Sequence, residues 1–211
     1  ADAMVRRDVI DNVTKPVWTK EFEKRGAVLL GAMIAEPRSV YCNEPAGTLA
    51  ELKGLKIRAM GGVEEQFTKQ LGGVGVTVNW PDVYQAMQTG VIDCFWVTHA
   101  AVHGAKLFEV SKHIYDIAQG GPTVGLAINK KIFDSLPKDL QQVVRDGGKA
   151  AEESWWSQVD GLYAEYRTKL EAKGMTTHMA SAADQATARK VAEELWGPWA
   201  EKKGSEYKML L

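Results

Sequence analysis

The chain has 211 residues, of which 45% are hydrophobic and 25% are charged, and its formal net charge is −1. This composition is typical of a globular protein that is long enough to bury a core, in one large domain or two small ones. The balanced charge gives no sign of the basic stripe that nucleic-acid binding needs. No apolar run approaches the roughly 20 residues that span a membrane.

Strand and helix patterns alternate along the chain. Strands are predicted at 28–35, 38–42, 55–60, 74–79, 91–97, 113–118, 123–128 and 175–179. Helices are predicted at 2–12, 15–25, 48–53, 63–71, 81–88, 98–106 and 130–136, as one long helix over 137–173 with glycine interruptions, and at 182–203. Alternation of this kind predicts an α/β fold with a mostly parallel sheet.

The stretch around Arg58 has the features of an anion site. A short strand ends after Arg58 and breaks at Gly61, and the next helix carries Glu64 and Glu65 in its first turn. Free backbone N–H groups at a helix start can hold an anion, and a guanidinium fits a carboxylate through two hydrogen bonds. The competing interpretation is that Arg58 is a solvated residue or an ion-pair partner.

Five segments at characteristic spacing resemble one protein family. They are GLKIR at 54–58, the strand and aromatic at 76–80, DVYQAMQTGVID at 82–93, KLFEVSKHIYD at 106–116 and LPKDLQQVV at 136–144. Together they resemble the solute-binding proteins of tripartite ATP-independent periplasmic (TRAP) transporters. The spaced set is specific, although a single piece would not be.

This resemblance implies a two-lobed periplasmic-binding-protein-like fold of class II type, with a long C-terminal helix linking the lobes. The implied units are 1–26, the remainder of lobe 1; 27–120, the ligand-binding lobe 2; and 121–211, a return segment, hinge helix and C-terminal helices. The family's N-terminal βα region, and an export signal, are expected to be missing from these residues.

The resemblance also implies a function. The protein is expected to be a periplasmic receptor that passes a small organic acid to the membrane subunits of a TRAP transporter, without a cofactor or catalysis. Arg58 corresponds to the arginine that holds the ligand's carboxylate, Arg38 to a second arginine on the preceding strand, and Trp80 to an aromatic wall of the pocket. Two arginines facing one cleft need an anion or a carboxylate side chain between them.

The segment after Asp93 departs from the family, because Phe95 and Trp96 stand where sugar-acid binders have small or polar residues. Strand alternation predicts that Phe95 and Trp96 point to opposite faces of the sheet, one of which should border the ligand cleft. A polyhydroxylated ligand would leave its hydroxyls unpaired against such a wall. We therefore predict a monocarboxylate, a 2-hydroxy or 2-oxo acid with an apolar or aromatic tail, whose 2-substituent contacts Thr98 or His99.

Two of these assignments have structural alternatives. Arg38 could pair with Glu36 or Glu44 at the surface instead of a ligand. Trp80 could be an ordinary core tryptophan, because tryptophan is generally well buried.

The two cysteines, Cys42 and Cys94, leave their state open, since the sequence does not show whether their Cα atoms lie within disulfide range. A free Cys94 beside His99 could form a thiol nucleophile with a base, so an enzyme acting on a carboxylate substrate is a second hypothesis. A ligand-sensing module without a transporter is a third. His99 and His103 have a metal-binding spacing, but no third ligand is evident.

Overall fold

The structure is a computed structural model that describes residues 3–203, so residues 1–2 and 204–211 of the first and last predicted units lie outside it. It is an α/β fold, as the sequence predicts. Its strands are β1 Ala27–Ile34, β2 Arg38–Cys42, β3 Lys56–Ala59, β4 Val74–Thr77, β5 Cys94–Thr98, β6 His113–Gln119, β7 Thr123–Asn129 and β8 Thr176–Met179.

Six of the strands form one mixed sheet in the order β4-β3-β5-β2-β6-β8. β3 is parallel to β4 and β5, and β6 is parallel to β8, whereas β2 runs antiparallel to both of its neighbours. β1 and β7 form a separate antiparallel pair. Three of the five pairings in this sheet are therefore parallel, and β2 makes the sheet mixed because it enters between β5 and β6 from the opposite direction.

The helices are α1 Ala3–Val9, α2 Lys15–Lys24, α3 Gly62–Gln70, α4 Val83–Gln88, α5 His99–Gly104, α6 Lys130–Ser135, α7 Lys138–Trp156, α8 Val159–Glu171 and α9 Ala182–Lys203. A π-helical turn, Ile10–Thr14, joins α1 to α2. Every helix within residues 3–203 is too short or too polar to span a bilayer.

The prediction of one long helix over 137–173 is wrong. The chain breaks at Ser157 and Gln158, not at the glycines that the sequence offers as interruptions. Gly148 lies inside α7, and a Cβ atom there would come within 2.7 Å of the Leu30 carbonyl oxygen. This glycine therefore allows α7 to approach β1 closely instead of ending the helix.

The pairing of β1 affects where the predicted units 1–26 and 27–120 should be divided. The sequence assigned β1 to the same unit as the strands that follow it, but β1 pairs with β7 and packs against α2 and α7. We propose that the boundary between the units lies in the connection at 35–37, after β1.

The six-stranded sheet buries side chains on both faces. One face carries Val40, Ile57 and Trp96 against α3 and α9, and the other carries Tyr41 and Phe95 against α4, α5 and α8. Successive residues of a strand point to opposite faces. The sequence-based prediction that Phe95 and Trp96 face opposite sides is confirmed.

Cys42 and Cys94 form a disulfide between β2 and β5, where they are directly paired across the ladder with Cα atoms 4.2 Å apart. Both are buried. The bond joins residues 52 positions apart, and such a disulfide stabilises the fold mainly by restricting the unfolded chain.

Candidate functional site

A cavity of about 810 Å³ opens at the edge of the large sheet where β3 ends and β2 begins. The start of α3, the end of β6 with the following turn, and α9 form its walls. Among the residues noted from the sequence, Arg38, Gly61 and Glu64 line this cavity, whereas Arg58 and Trp80 are not among its lining residues. We call this space the cleft.

Arg38 forms an ion pair with Glu64, and not with Glu36 or Glu44 as the alternative interpretation supposed. The pair is largely buried, since the side chains of Arg38 and Glu64 are 14% and 10% exposed. The Arg38 Nε atom is buried and has no hydrogen-bond partner among the described residues. Glu36 instead accepts a hydrogen bond from the backbone N–H of Ala100 at 2.7 Å.

Arg58 lies next to this pair and is 4% exposed. Its Nε donates to the Val78 carbonyl oxygen at 3.0 Å, and within residues 3–203 no carboxylate forms an ion pair with it. Burial lowers the pKa of Arg58; the Glu64 carboxylate opposes this effect and the Arg38 guanidinium adds to it. The three side chains therefore act on one another, and we call Arg38, Arg58 and Glu64 the arginine cluster.

Trp80 is 40% exposed, so the alternative of a core tryptophan is wrong. Its ring lies over Arg58, with the guanidinium Cζ 5.7 Å from the ring centroid. A cation at this distance is attracted to the face of an indole ring. Trp80 therefore shields one side of the guanidinium while leaving its own outer face open.

Gly61 has a φ of +137°, a backbone conformation that favours glycine, and it begins α3 as its N-terminal cap residue. Thr98 is the N-terminal cap of α5, and its hydroxyl accepts a hydrogen bond from the Ala101 N–H at 3.3 Å. Thr98 pairs with Arg38 across the β2–β5 ladder but does not line the cleft.

Phe95 and Trp96 lie in the core and not in a pocket wall. They are 0% and 1% exposed. Phe95 stacks on Tyr41, with ring centroids 5.3 Å apart, and the Trp96 indole N–H donates to the Thr68 hydroxyl at 3.1 Å. Phe95 and Trp96 alternate between the two faces of β5 as predicted, but helices cover both faces, so neither side chain reaches the cleft.

A bulge in β6 shapes the opposite wall of the cleft. Opposite the step from Arg38 to Val40 in β2, β6 advances four residues, from Tyr115 to Gln119. Ala118, within this bulge, has a φ of +50°. Such a conformation costs a non-glycine residue about 1–3 kcal/mol and persists only where the surroundings hold it.

A buried polar network lies beside this bulge, centred on Asp116, which is fully buried. Asp116 accepts hydrogen bonds from the Ser39 hydroxyl at 2.8 Å, from the Tyr163 hydroxyl, and from Arg167 at 3.3 Å. The His99 Nε2 atom is 3.8 Å from its Oδ2. We call Ser39, His99, Asp116, Tyr163 and Arg167 the aspartate cluster.

The aspartate cluster stabilises an ionised carboxylate inside the protein. Burial by itself would raise the pKa of Asp116, but the interactions with His99, Tyr163 and Ser39 outweigh it and lower the pKa to about 2. The proximity of the donors therefore keeps Asp116 charged at neutral pH.

The enzyme hypothesis built on Cys94 and His99 is contradicted, because Cys94 is bonded to Cys42 and has no thiol. His99 is fully buried, with its Nδ1 hydrogen-bonded to the Tyr41 hydroxyl. The neighbouring His103 packs against Tyr166 instead. In the part of the chain that the structure describes, no three potential ligands group for a metal ion.

Most lining residues of the cleft could not be singled out from the sequence, and two of them, Glu64 and Gln119, are polar residues that matter for the site. The sequence predicted a favourable place for Glu64 at a helix start but no contact with an arginine. Its position six residues after Arg58, following Gly61 and Gly62, was the signal that could have placed it near the cleft. Gln119 lines the cleft with a buried side-chain oxygen that has no partner among the described residues. The only sequence signal for Gln119 is the Gly120-Gly121 turn that follows it.

The comparisons with known proteins agree with this architecture. A family model described as bacterial extracellular solute-binding protein, family 7, matches residues 1–203. A solute-binding protein of Sulfitobacter sp. strain NAS-14.1 is 30% identical over 141 residues, which are 66% of this chain and 43% of that protein. The ectoine-binding periplasmic protein TeaA of Halomonas elongata is 26% identical over 162 residues, 74% of this chain and 46% of TeaA.

A solved structure is also similar. DctP6 of Bordetella pertussis, an extracytoplasmic solute receptor binding pyroglutamic acid, superposes with a TM-score of 0.89 at 26% identity, over 98% of this chain and 68% of DctP6. The chain spans less than half the length of the two curated relatives, at 43% and 46%. The family model covers nearly the whole chain, and the chain therefore belongs to the bacterial extracellular solute-binding proteins of family 7.

Proposed function

We propose that this protein binds a small organic acid with one carboxylate, which Arg58 holds, and passes it to the membrane subunits of a TRAP transporter. The observation that carries the proposal is the state of Arg58, a guanidinium that is 4% exposed and has no carboxylate partner within residues 3–203. Burying a charge without an ionic partner costs several kcal/mol, which a ligand carboxylate would offset.

The surroundings of Arg58 suit this role. Its polar contact is the neutral carbonyl oxygen of Val78, and Trp80 covers one side of the guanidinium. Neither group neutralises the charge, so the terminal N–H donors keep their capacity for a bidentate bond to a carboxylate.

The remainder of the ligand would contact the cleft. Met60, Val63, Phe67 and Ile117 give the cleft an apolar lining. These four residues, and not the buried Phe95 and Trp96, would contact an apolar portion of the ligand. An apolar group would gain about 25 cal/mol for each Å² removed from water.

A polar substituent of the ligand would find a partner in Gln119. Its buried side-chain oxygen can accept a hydrogen bond from a ligand hydroxyl or N–H group. We assign this contact to Gln119 and not to Thr98 or His99. Thr98 caps α5, and the His99 ring is hydrogen-bonded to Tyr41. Pyroglutamic acid, which DctP6 binds, has one carboxylate and one ring N–H, and so has the chemistry proposed here.

A screen of organic acids by thermal shift tests the proposal, together with mass spectrometry of small molecules released from the denatured protein. A ligand at 100 times its Kd adds about 2.7 kcal/mol of stability. Monocarboxylates with an apolar portion should raise the melting temperature, and uronic acids should not. The opposite result would contradict the proposed ligand class.

Delivery to a transporter is tested separately, by uptake of the identified acid into vesicles that contain the cognate membrane subunits. The protein should stimulate uptake, and the Arg58→Ala variant should not. Binding without stimulation would favour the ligand-sensing module over the transport receptor.

A further inference from the structure

Glu64 is fixed in place by three features of the fold. It lies in the first turn of α3, where a carboxylate suits the positive end of the helix dipole. Its Oε2 accepts a hydrogen bond from the Met60 backbone N–H at 2.6 Å, and its Oε1 pairs with Arg38. A glutamate with two such bonds and 10% exposure is part of the cleft wall.

This position sets the charge of the arginine cluster. Arg38 and Arg58 carry two positive charges and Glu64 carries one negative charge, which leaves one positive charge. Arg38 already has its carboxylate from within the chain, whereas Arg58 has none among the described residues. Within the cluster, one positive charge is therefore left for one further carboxylate; Arg189, which also lines the cleft, is exposed to solvent and lies outside the cluster.

We propose that Glu64 is a specificity-determining residue. Its ion pair with Arg38 makes Arg38 unavailable to a second ligand carboxylate, so the site selects acids with one carboxylate. This inference rests on the proposed function and deepens it. If a diacid placed its second carboxylate near Arg38, that group would also lie close to the Glu64 carboxylate. The Arg38–Glu64 pair is largely buried, so water screens the repulsion only weakly. Like charges repel strongly there, and that contact would reject the diacid.

The test compares Glu64→Gln with wild type by titration calorimetry, using pyroglutamate as the monoacid and succinate as the diacid. Glutamine keeps the size of the side chain and can still accept the bond from Met60, but it frees the charge of Arg38. We expect the ratio of the two Kd values to shift toward succinate by about tenfold or more. Glu65→Gln is the matched control, because Glu65 is exposed in the same helical turn and its loss should leave the ratio unchanged.

A second variant keeps the test informative if Glu64→Gln lowers stability. In Arg38→Gln/Glu64→Gln, both members of the pair are neutral, so the preference for the monoacid should return. An equal change in affinity for both acids in Glu64→Gln, or a persisting shift in the double variant, would overturn the role of Glu64 while leaving the proposed function standing. Absence of binding of every organic acid to wild type would overturn the proposed function and this inference together.

Discussion

The arginine cluster and the aspartate cluster each include one of two adjacent residues of β2, yet their buried charges are compensated differently. Arg38 and Ser39 follow each other in β2 and point to opposite faces of the sheet. In the aspartate cluster, hydroxyl groups and Arg167 surround the single buried carboxylate. In the arginine cluster, two guanidiniums lie near one carboxylate, and that carboxylate pairs with Arg38 and leaves Arg58 without an ionic partner among the described residues.

The difference separates a structural network from the proposed binding site. A buried charge with a full set of donors stabilises the fold, and removing it leaves its partners unsatisfied. A buried charge without a partner destabilises the free protein, and such a charge is retained where a ligand supplies the partner. Four changes test whether this division is correct.

The largest expected effect is that of Asp116→Ala on stability. Its removal leaves Ser39, Tyr163 and Arg167 without their acceptor, so the free energy of unfolding should fall by about 3–5 kcal/mol. Chemical denaturation measures this value. Asp134→Ala is the control, because Asp134 is 54% exposed in an i,i+4 pair and should change stability by less than about 0.5 kcal/mol.

Arg58→Ala should act in the opposite way. Ligand binding should weaken by about 2–5 kcal/mol, because one partner of a desolvated, bidentate pair is lost. The free energy of unfolding should stay the same or rise, since an unpaired buried charge is removed. Calorimetry and denaturation of the same sample check both quantities.

Two further variants show whether the effect of Arg58→Ala is specific to the guanidinium at this position. Arg58→Lys should restore binding only in part, because an ammonium lacks the planar fork of donors. Lys56→Ala removes a more exposed cation from the same strand and should bind normally. A fall in stability for Arg58→Ala with unchanged binding would place Arg58 with the structural network instead.

Acid should weaken the fold through Asp116. Its pKa is about 2 in the folded protein, against an ordinary value of 3.8, so the unfolded chain takes up a proton first as the pH falls. The contribution of Asp116 is therefore complete above pH 3.8 and is lost as the pH falls through about 2. It amounts to roughly 2 kcal/mol.

Denaturation at a series of pH values measures this loss, with Asp116→Asn as the comparison. The variant should lack the part of the acid dependence that belongs to Asp116. An identical slope in wild type and variant would show that other carboxylates cause the acid sensitivity.

The smallest expected effect is that of Trp80→Leu. An exposed cation–π contact is worth about 0.5–1 kcal/mol, so the affinity for the acid should fall by about two- to fivefold, with little change in stability. Trp80→Phe should retain part of the affinity because the ring face is kept. Full affinity in the leucine variant would mean that Trp80 does not contribute to holding the guanidinium.

The sequence by itself determined the local elements and pointed to Arg58, the residue that we propose binds the carboxylate. Alternating apolar runs, glycine breaks and caps such as Thr98 act over a few residues, so they predicted the fold class and most strands and helices. Arg58 could be singled out because a strand, a glycine break and a helix start are all local signals. The spaced motifs around it also indicated the family.

The tertiary structure decided how these elements meet. Period-two alternation predicted that Phe95 and Trp96 face opposite ways, but only packing from both sides shows that neither face is open. The pairing of Cys42 with Cys94 depends on the antiparallel register of β2 and β5, which joins residues 52 positions apart. The choice of Glu64 as partner of Arg38 likewise depends on where α3 starts relative to β2, because long-range pairing is set by the assembled sheet and not by local propensity.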